Sequence, residues 1–69
     1  MNHLDTPAYR HWRARQLTLL VEDLRFKYDV ADIREAKMLV RNNIKQNNRL
    51  RTLGVTDYEV SQLAAALLP

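Results

Sequence analysis

No cysteine occurs anywhere in the 69 residues, so the chain forms no disulfide and offers no thiol nucleophile. Its only glycine, Gly54, leaves no glycine-rich loop to cradle a phosphate. Ser61 is the sole serine, in a predicted helix with no histidine near it in sequence, so no hydroxyl nucleophile with its base is expected. The two histidines, His3 and His11, lie eight apart across a predicted helix start, a poor spacing for a metal, and both read as non-ligating residues. No run approaches the roughly 18–20 apolar residues of a membrane span. The start, MNHLDTPAYRHW, has no apolar core after a basic segment, so no secretory signal is expected and the reading is cytoplasmic. Together these absences predict a protein that is not an enzyme and holds neither cofactor nor metal.

Two prolines and one glycine also leave little turn chemistry, which predicts few, long elements. With 46% hydrophobic and 28% charged residues the chain has a globular composition, and its length allows one small domain at most. A domain this small buries only about 60% of its unfolded surface and gains from a partner. The net charge of +3 is local. Residues 1–36 carry six cations and six acids, residues 54–69 sum to −2, and Lys37–Leu53 holds five cations and no acid. With a pI near 9.7, the balance points to an acidic partner, whether nucleic acid, an anionic membrane surface or an acidic protein surface, and of these the expectation settles on nucleic acid or protein.

The predicted fold class is all-α: an antiparallel helical hairpin, about 7–27 and 30–53, with a short third helix at about 57–68 packed across it. Thr6-Pro7 starts the first helix as N-cap and first helical residue. Residues 1–5 precede it as a loose terminus. Leu17, Leu20, Val21, Leu24 and Tyr28 recur at helical spacing and form the core stripe. Trp12, Leu19 and Phe26, seven apart, fall on the opposite side. Either the other helices cover both sides of helix 1, or this second face is a dimer or partner surface.

For helix 2, Asp29 is the expected N-cap with Asp32 at N3 and a Tyr28/Ile33 staple, and Gly54 follows its end. Its apolar arc is Ile33, Ala36, Leu39, Val40, Ile44, Leu50 and Leu53. Asn43 and Asn47 interrupt that arc, either as buried, paired groups that fix register or as wet groups on a projecting end. The other face carries Arg34, Lys37, Arg41, Lys45, Asn48 and Arg49, a ladder able to track a phosphate backbone, with Asn48 or Asn42 placed for base edges. Arg10 and Arg13 of helix 1 extend this basic surface.

Thr56 to Glu59 forms a capping box, and Val55 with Val60 a hydrophobic staple, opening a third helix that buries Val60, Leu63, Ala64 and Leu67. The segment Leu50–Leu63, LRTLGVTDYEVSQL, resembles the helix-turn-helix of bacterial repressors, with Gly54 in the turn and Val60 as the buried position of the second helix. That resemblance implies a reading role for the second helix, yet its Asp57 and Glu59 repel phosphate and it offers no cation. Phosphate contact therefore falls to helix 2. Ala8-Tyr9-Arg10 stands where the LYR-motif proteins carry Leu-Tyr-Arg, a fainter similarity that lacks the leucine.

Two functions follow as expectations. The first is a small basic nucleic-acid-binding regulator using the cationic face of helix 2. The second is a protein-binding adaptor or inhibitor, of mobile-element or phage type, docking through Trp12, Leu19 and Phe26, with a homodimer as a further use of that face.

Overall fold

The computed structural model describes residues 6–69; the readings of residues 1–5 and of His3 lie outside them. Among the described residues there are four helices and no strand: α1 Pro7–Lys27, α2 Ile33–Gln46, α3 Asn48–Arg51 and α4 Asp57–Ala65. The class is all-α. The predicted three-helix arrangement is corrected, because the second predicted helix is two.

Thr6 is extended and its side chain accepts a hydrogen bond from the Tyr9 amide at 3.1 Å, satisfying one of the free N–H groups at the start of α1. The helix buries Leu17, Leu20 and Leu24 and closes with Arg25 and Lys27 in its last turn, where cations complement the helix dipole. Tyr28 leaves the helix in extended conformation and is exposed, so it does not complete the core stripe.

The cap of α2 differs from the expectation. Asp32, not Asp29, is the N-cap and accepts from the Glu35 amide at 2.9 Å, while Glu35 reaches back to the Ala31 amide at 3.3 Å. Val30 explains the choice: it is buried in the 28–32 loop, between the extended Tyr28 and Asp32, and a helix starting at residue 30 would move it. Ile33, expected as a staple, is 40% exposed.

The break at Asn47 is the largest departure. Asn47 is extended, its amide donating to the Ile44 carbonyl at 3.3 Å, and its side-chain oxygen accepts from the Leu50 amide at 3.1 Å as the cap of α3. A straight helix from Ile33 through residue 53 would be about 32 Å long at 1.5 Å per residue, against about 14 Å for α4. Leu50 and Leu53 would overshoot the core. The break turns both back, and both are buried. Asparagine suits this point because its side chain competes for backbone groups that a helix would use. Asn43 stays helical and donates to the Leu39 carbonyl at 2.8 Å. Neither asparagine is fully buried or merely solvated; each is half-buried and satisfied by backbone of its own segment.

Gly54 then adopts φ 65°, a left-handed conformation that a side chain would strain, and Thr56 opens α4 with the full capping box. α4 lies closest to α2. Arg13 pairs with Glu59 in the first half of both helices, and Arg25 shares a groove with Leu67 and Leu68 at their far ends, so α1 and α4 run in the same direction. The core is one cluster drawn from all four helices and the 28–32 loop, with Leu24 and Val40 fully enclosed and no buried polar side chain among the described residues.

Candidate nucleic-acid interface

The helical period of α2 places Arg34, Lys37, Arg41 and Lys45 at spacings of three, four and four, opposite the buried Ala36 and Val40. Arg34, Arg41 and Lys45 are exposed and Lys37 is half-buried. The sequence pattern thus gives one continuous cationic face over the length of α2.

The break at Asn47 divides the rest of the predicted ladder. Arg49 sits in α3 and lines a groove beside Gln16, Leu20 and Asp23 of α1, away from Arg41 and Lys45. Arg51 takes its place. It lines an open groove with Arg41, Lys45, Gly54, Val55 and Asp57, above the apolar Ile44 and Val60. Asn48, predicted to reach base edges, accepts a hydrogen bond from the Arg51 guanidinium and so orients it. Three cations and one carboxylate face this groove, so its local charge is positive.

Only two ion pairs occur among the described residues, Arg13–Glu59 and Lys27–Asp23. None of Arg34, Lys37, Arg41, Lys45, Arg49 and Arg51 is in either. Asp57 shares the groove of Arg41, Lys45 and Arg51 without pairing with any of them. Arg13 does not extend the basic surface. Its guanidinium donates to both Glu59 oxygens, at 2.7 and 2.8 Å, and to the carbonyls of Leu53 at 3.0 Å and Gly54 at 3.4 Å. The hydrogen bond from Arg13 holds the Glu59 carboxyl well below its ordinary range, at about 2, against an opposing effect of partial burial. The same bond raises the Arg13 pKa. Glu59 is thus engaged with α1, and Asp57 is the carboxylate that lines the cationic groove. Arg10 remains exposed on α1.

In the segment that resembles a helix-turn-helix, Gly54 and Val60 take the turn and buried positions, but the preceding helix is a single turn. Glu59, where a reading residue would stand, belongs to the Arg13 clasp.

The second predicted surface is open. Trp12 is 41% exposed, Leu19 44% and Phe26 90%, so this side of α1 is open, with Leu19 at the edge of the groove it shares with Asn43, Gln46 and Arg49. Trp12 is steadied by Tyr9, whose ring centre lies 5.7 Å away at a tilt of 40°. No helix of the described residues is long and apolar enough to cross a membrane.

Arg51 is the one residue of this surface that the sequence pattern did not single out. On an unbroken helix it falls toward the side rather than the ladder, and only the Asn47 break brings it beside Arg41. Compared with known proteins, the chain matches no family model, no curated protein and no solved structure.

Proposed function

We propose that this chain is a small nucleic-acid-binding protein with a regulatory role, cytoplasmic and without cofactor or enzymatic step, which holds a phosphate backbone along α2. The observation that carries the reading is the outward row of Arg34, Lys37, Arg41 and Lys45, joined by Arg51, with no ion pair to any carboxylate among the described residues. Neighbouring like charges on one helix face raise its energy by a few tenths of a kcal/mol per pair. A polyanion relieves that repulsion and releases its own counterions on binding. Arginine suits the role because its planar fork takes phosphate oxygens two at a time, and Asn42 and Asn48 beside it offer amide donors and acceptors to base edges.

Electrophoretic mobility shift with duplex DNA, single-stranded DNA and RNA at low salt tests this. The wild type is expected to shift at least one of them, and Arg41→Glu/Lys45→Glu to lose the shift while keeping its helical circular dichroism. No shift with any of the three, or a shift indifferent to both substitutions, removes the proposal.

A second reading is favoured by the open Trp12/Leu19/Phe26 face: an adaptor that binds another protein there, with basic residues at the rim. Its signature is loss of a captured protein on Trp12→Ala, with the charge reversal on α2 silent.

A further inference from the structure

The exposed side of α1 has a pattern that reads as its own complement. Trp12, Leu19 and Phe26 are seven residues apart, the spacing at which a helix presents a seam to a second helix in a left-handed pair. Leu19 stands at the midpoint. Arg15 and Glu22 are also seven apart, so both lie on one flank of this seam, while Gln16 and Asp23 share the other flank. Arg15 and Glu22 are exposed and belong to no ion pair among the described residues. Asp23 is held by Lys27 at 3.1 Å.

From this pattern we infer that the face binds a second copy of the chain, with the two α1 helices antiparallel about a two-fold axis through Leu19. The operator decides the pairing. A two-fold axis perpendicular to the helices brings each flank against the same flank of the partner, with residue order reversed. Leu19 then meets its own copy, Trp12 meets Phe26 at each end, and Arg15 meets Glu22 twice. The midpoint of Arg15 and Glu22 lies half a residue from Leu19, about 0.75 Å along the axis, well within the reach of these side chains. A parallel pair does the opposite. It brings unlike flanks together and sets Glu22 against Asp23 twice, with Arg15 facing the neutral Gln16. The two Arg15–Glu22 pairs thus favour the antiparallel arrangement of two copies over the parallel one.

The aromatic ends strengthen the argument. Phe26 is the most exposed large apolar residue of the described chain, and Trp12 packs against Tyr9, so each end of the pair brings an open ring onto one that already has an aromatic neighbour. A chain of 69 residues with so small a core has most to gain from such a contact. The inference concerns α1 alone and stands or falls independently of nucleic-acid binding by α2.

The test is sedimentation velocity of the full chain over a concentration series from micromolar to about one millimolar, without nucleic acid. The wild type is expected to pass from monomer to dimer. Leu19→Asp and Arg15→Glu are each expected to weaken association at least tenfold with unchanged circular dichroism, and Arg15→Glu/Glu22→Arg to restore it. Because the chain has no cysteine, Leu19→Cys alone is expected to oxidise to a covalent dimer. Trp12→Cys and Phe26→Cys are expected to cross-link as a mixture and poorly when separate. A wild type that stays monomeric throughout overturns the inference and leaves the face to a different protein. A dimer unmoved by Leu19→Asp, or a double swap no better than the single reversal, overturns the interface or its direction.

Discussion

The Arg13 guanidinium grips the Glu59 carboxylate through two hydrogen bonds of 2.7 and 2.8 Å, joining residues 46 apart in sequence. Two further bonds, to the Leu53 and Gly54 carbonyls, fasten the turn before α4 to the side of α1. Glu59 also closes the capping box of α4 through the Thr56 amide at 3.1 Å. One carboxylate therefore serves a helix start and a tertiary clasp. Arg13→Ala should lower stability by about 2 kcal/mol, measured by urea denaturation, because it strips Glu59 of a charged partner at a half-buried site. A loss below about 0.5 kcal/mol would assign the clasp no more weight than a surface pair.

The same clasp sets a pH dependence. The Glu59 carboxyl lies at about 2 in the folded chain, below its ordinary value of 4.5. A depressed acid stabilises the fold fully above the unfolded value and loses that contribution as pH falls toward the folded value. Thermal midpoints should therefore hold from neutrality to about pH 5 on account of this group and fall between pH 4.5 and 2. Glu59→Gln should be less stable at neutrality and should flatten that acid limb. An acid limb of equal steepness in both proteins would contradict the assignment.

Core and surface of α1 should separate sharply under truncation. Leu24 is fully enclosed, so Leu24→Ala should cost about 2–5 kcal/mol. Phe26, two positions along, is 90% exposed, and Phe26→Ala should change the monomer's stability by no more than about 0.5 kcal/mol. Denaturation at low micromolar concentration makes the comparison. A large loss at Phe26 would mean that the face is covered within the chain itself.

Asn47 should be the hinge of the basic segment. Its side chain caps α3 at the Leu50 amide, so Asn47→Ala should cost about 1 kcal/mol. It should also favour a continuous helix, which lifts Leu50 and Leu53 off the core and returns Arg49 toward the Arg41 face. Backbone chemical shifts would show the change as helical values at residues 46–48. Unaltered shifts there would place the cause of the break elsewhere.

Much of this fold is legible where the forces are local. Thr6-Pro7 and the Thr56/Glu59 box mark helix starts because their partners lie within three residues. Leu17, Leu20 and Leu24 announce a core face by period alone. The errors lie where tertiary demand chose between local options. Asp29 and Asp32 are both competent caps, and the burial of Val30 decided for Asp32. Asn47 reads as an anomaly in an apolar arc until the need to return Leu50 and Leu53 to α4 is considered. Arg13 looks like one more surface cation, since nothing near it in sequence reveals Glu59. At the candidate site the row from Arg34 to Lys45 follows from helical spacing. The exchange of Arg49 for Arg51 depends on the break, so no periodicity shows it.

That exchange makes a contrast within one arginine-rich turn. Arg51→Gln should weaken nucleic-acid binding about as much as Arg41→Gln, and Arg49→Gln should weaken it less, since Arg49 faces α1. Fluorescence anisotropy with a labelled oligonucleotide separates the three. Equal losses at Arg49 and Arg51 would mean that the bound ligand spans both grooves.

The most direct measurement of the central claim is the binding constant for a duplex oligonucleotide as a function of salt. Contacts from Arg34, Lys37, Arg41, Lys45 and Arg51 should release counterions so that log K falls against log salt with a slope of about −4.5, and Arg41→Gln should make the slope shallower by about 0.9. A wild type that fails to bind at about 50 mM salt, or binds with a slope near zero, would contradict the assignment of a phosphate-tracking face to α2.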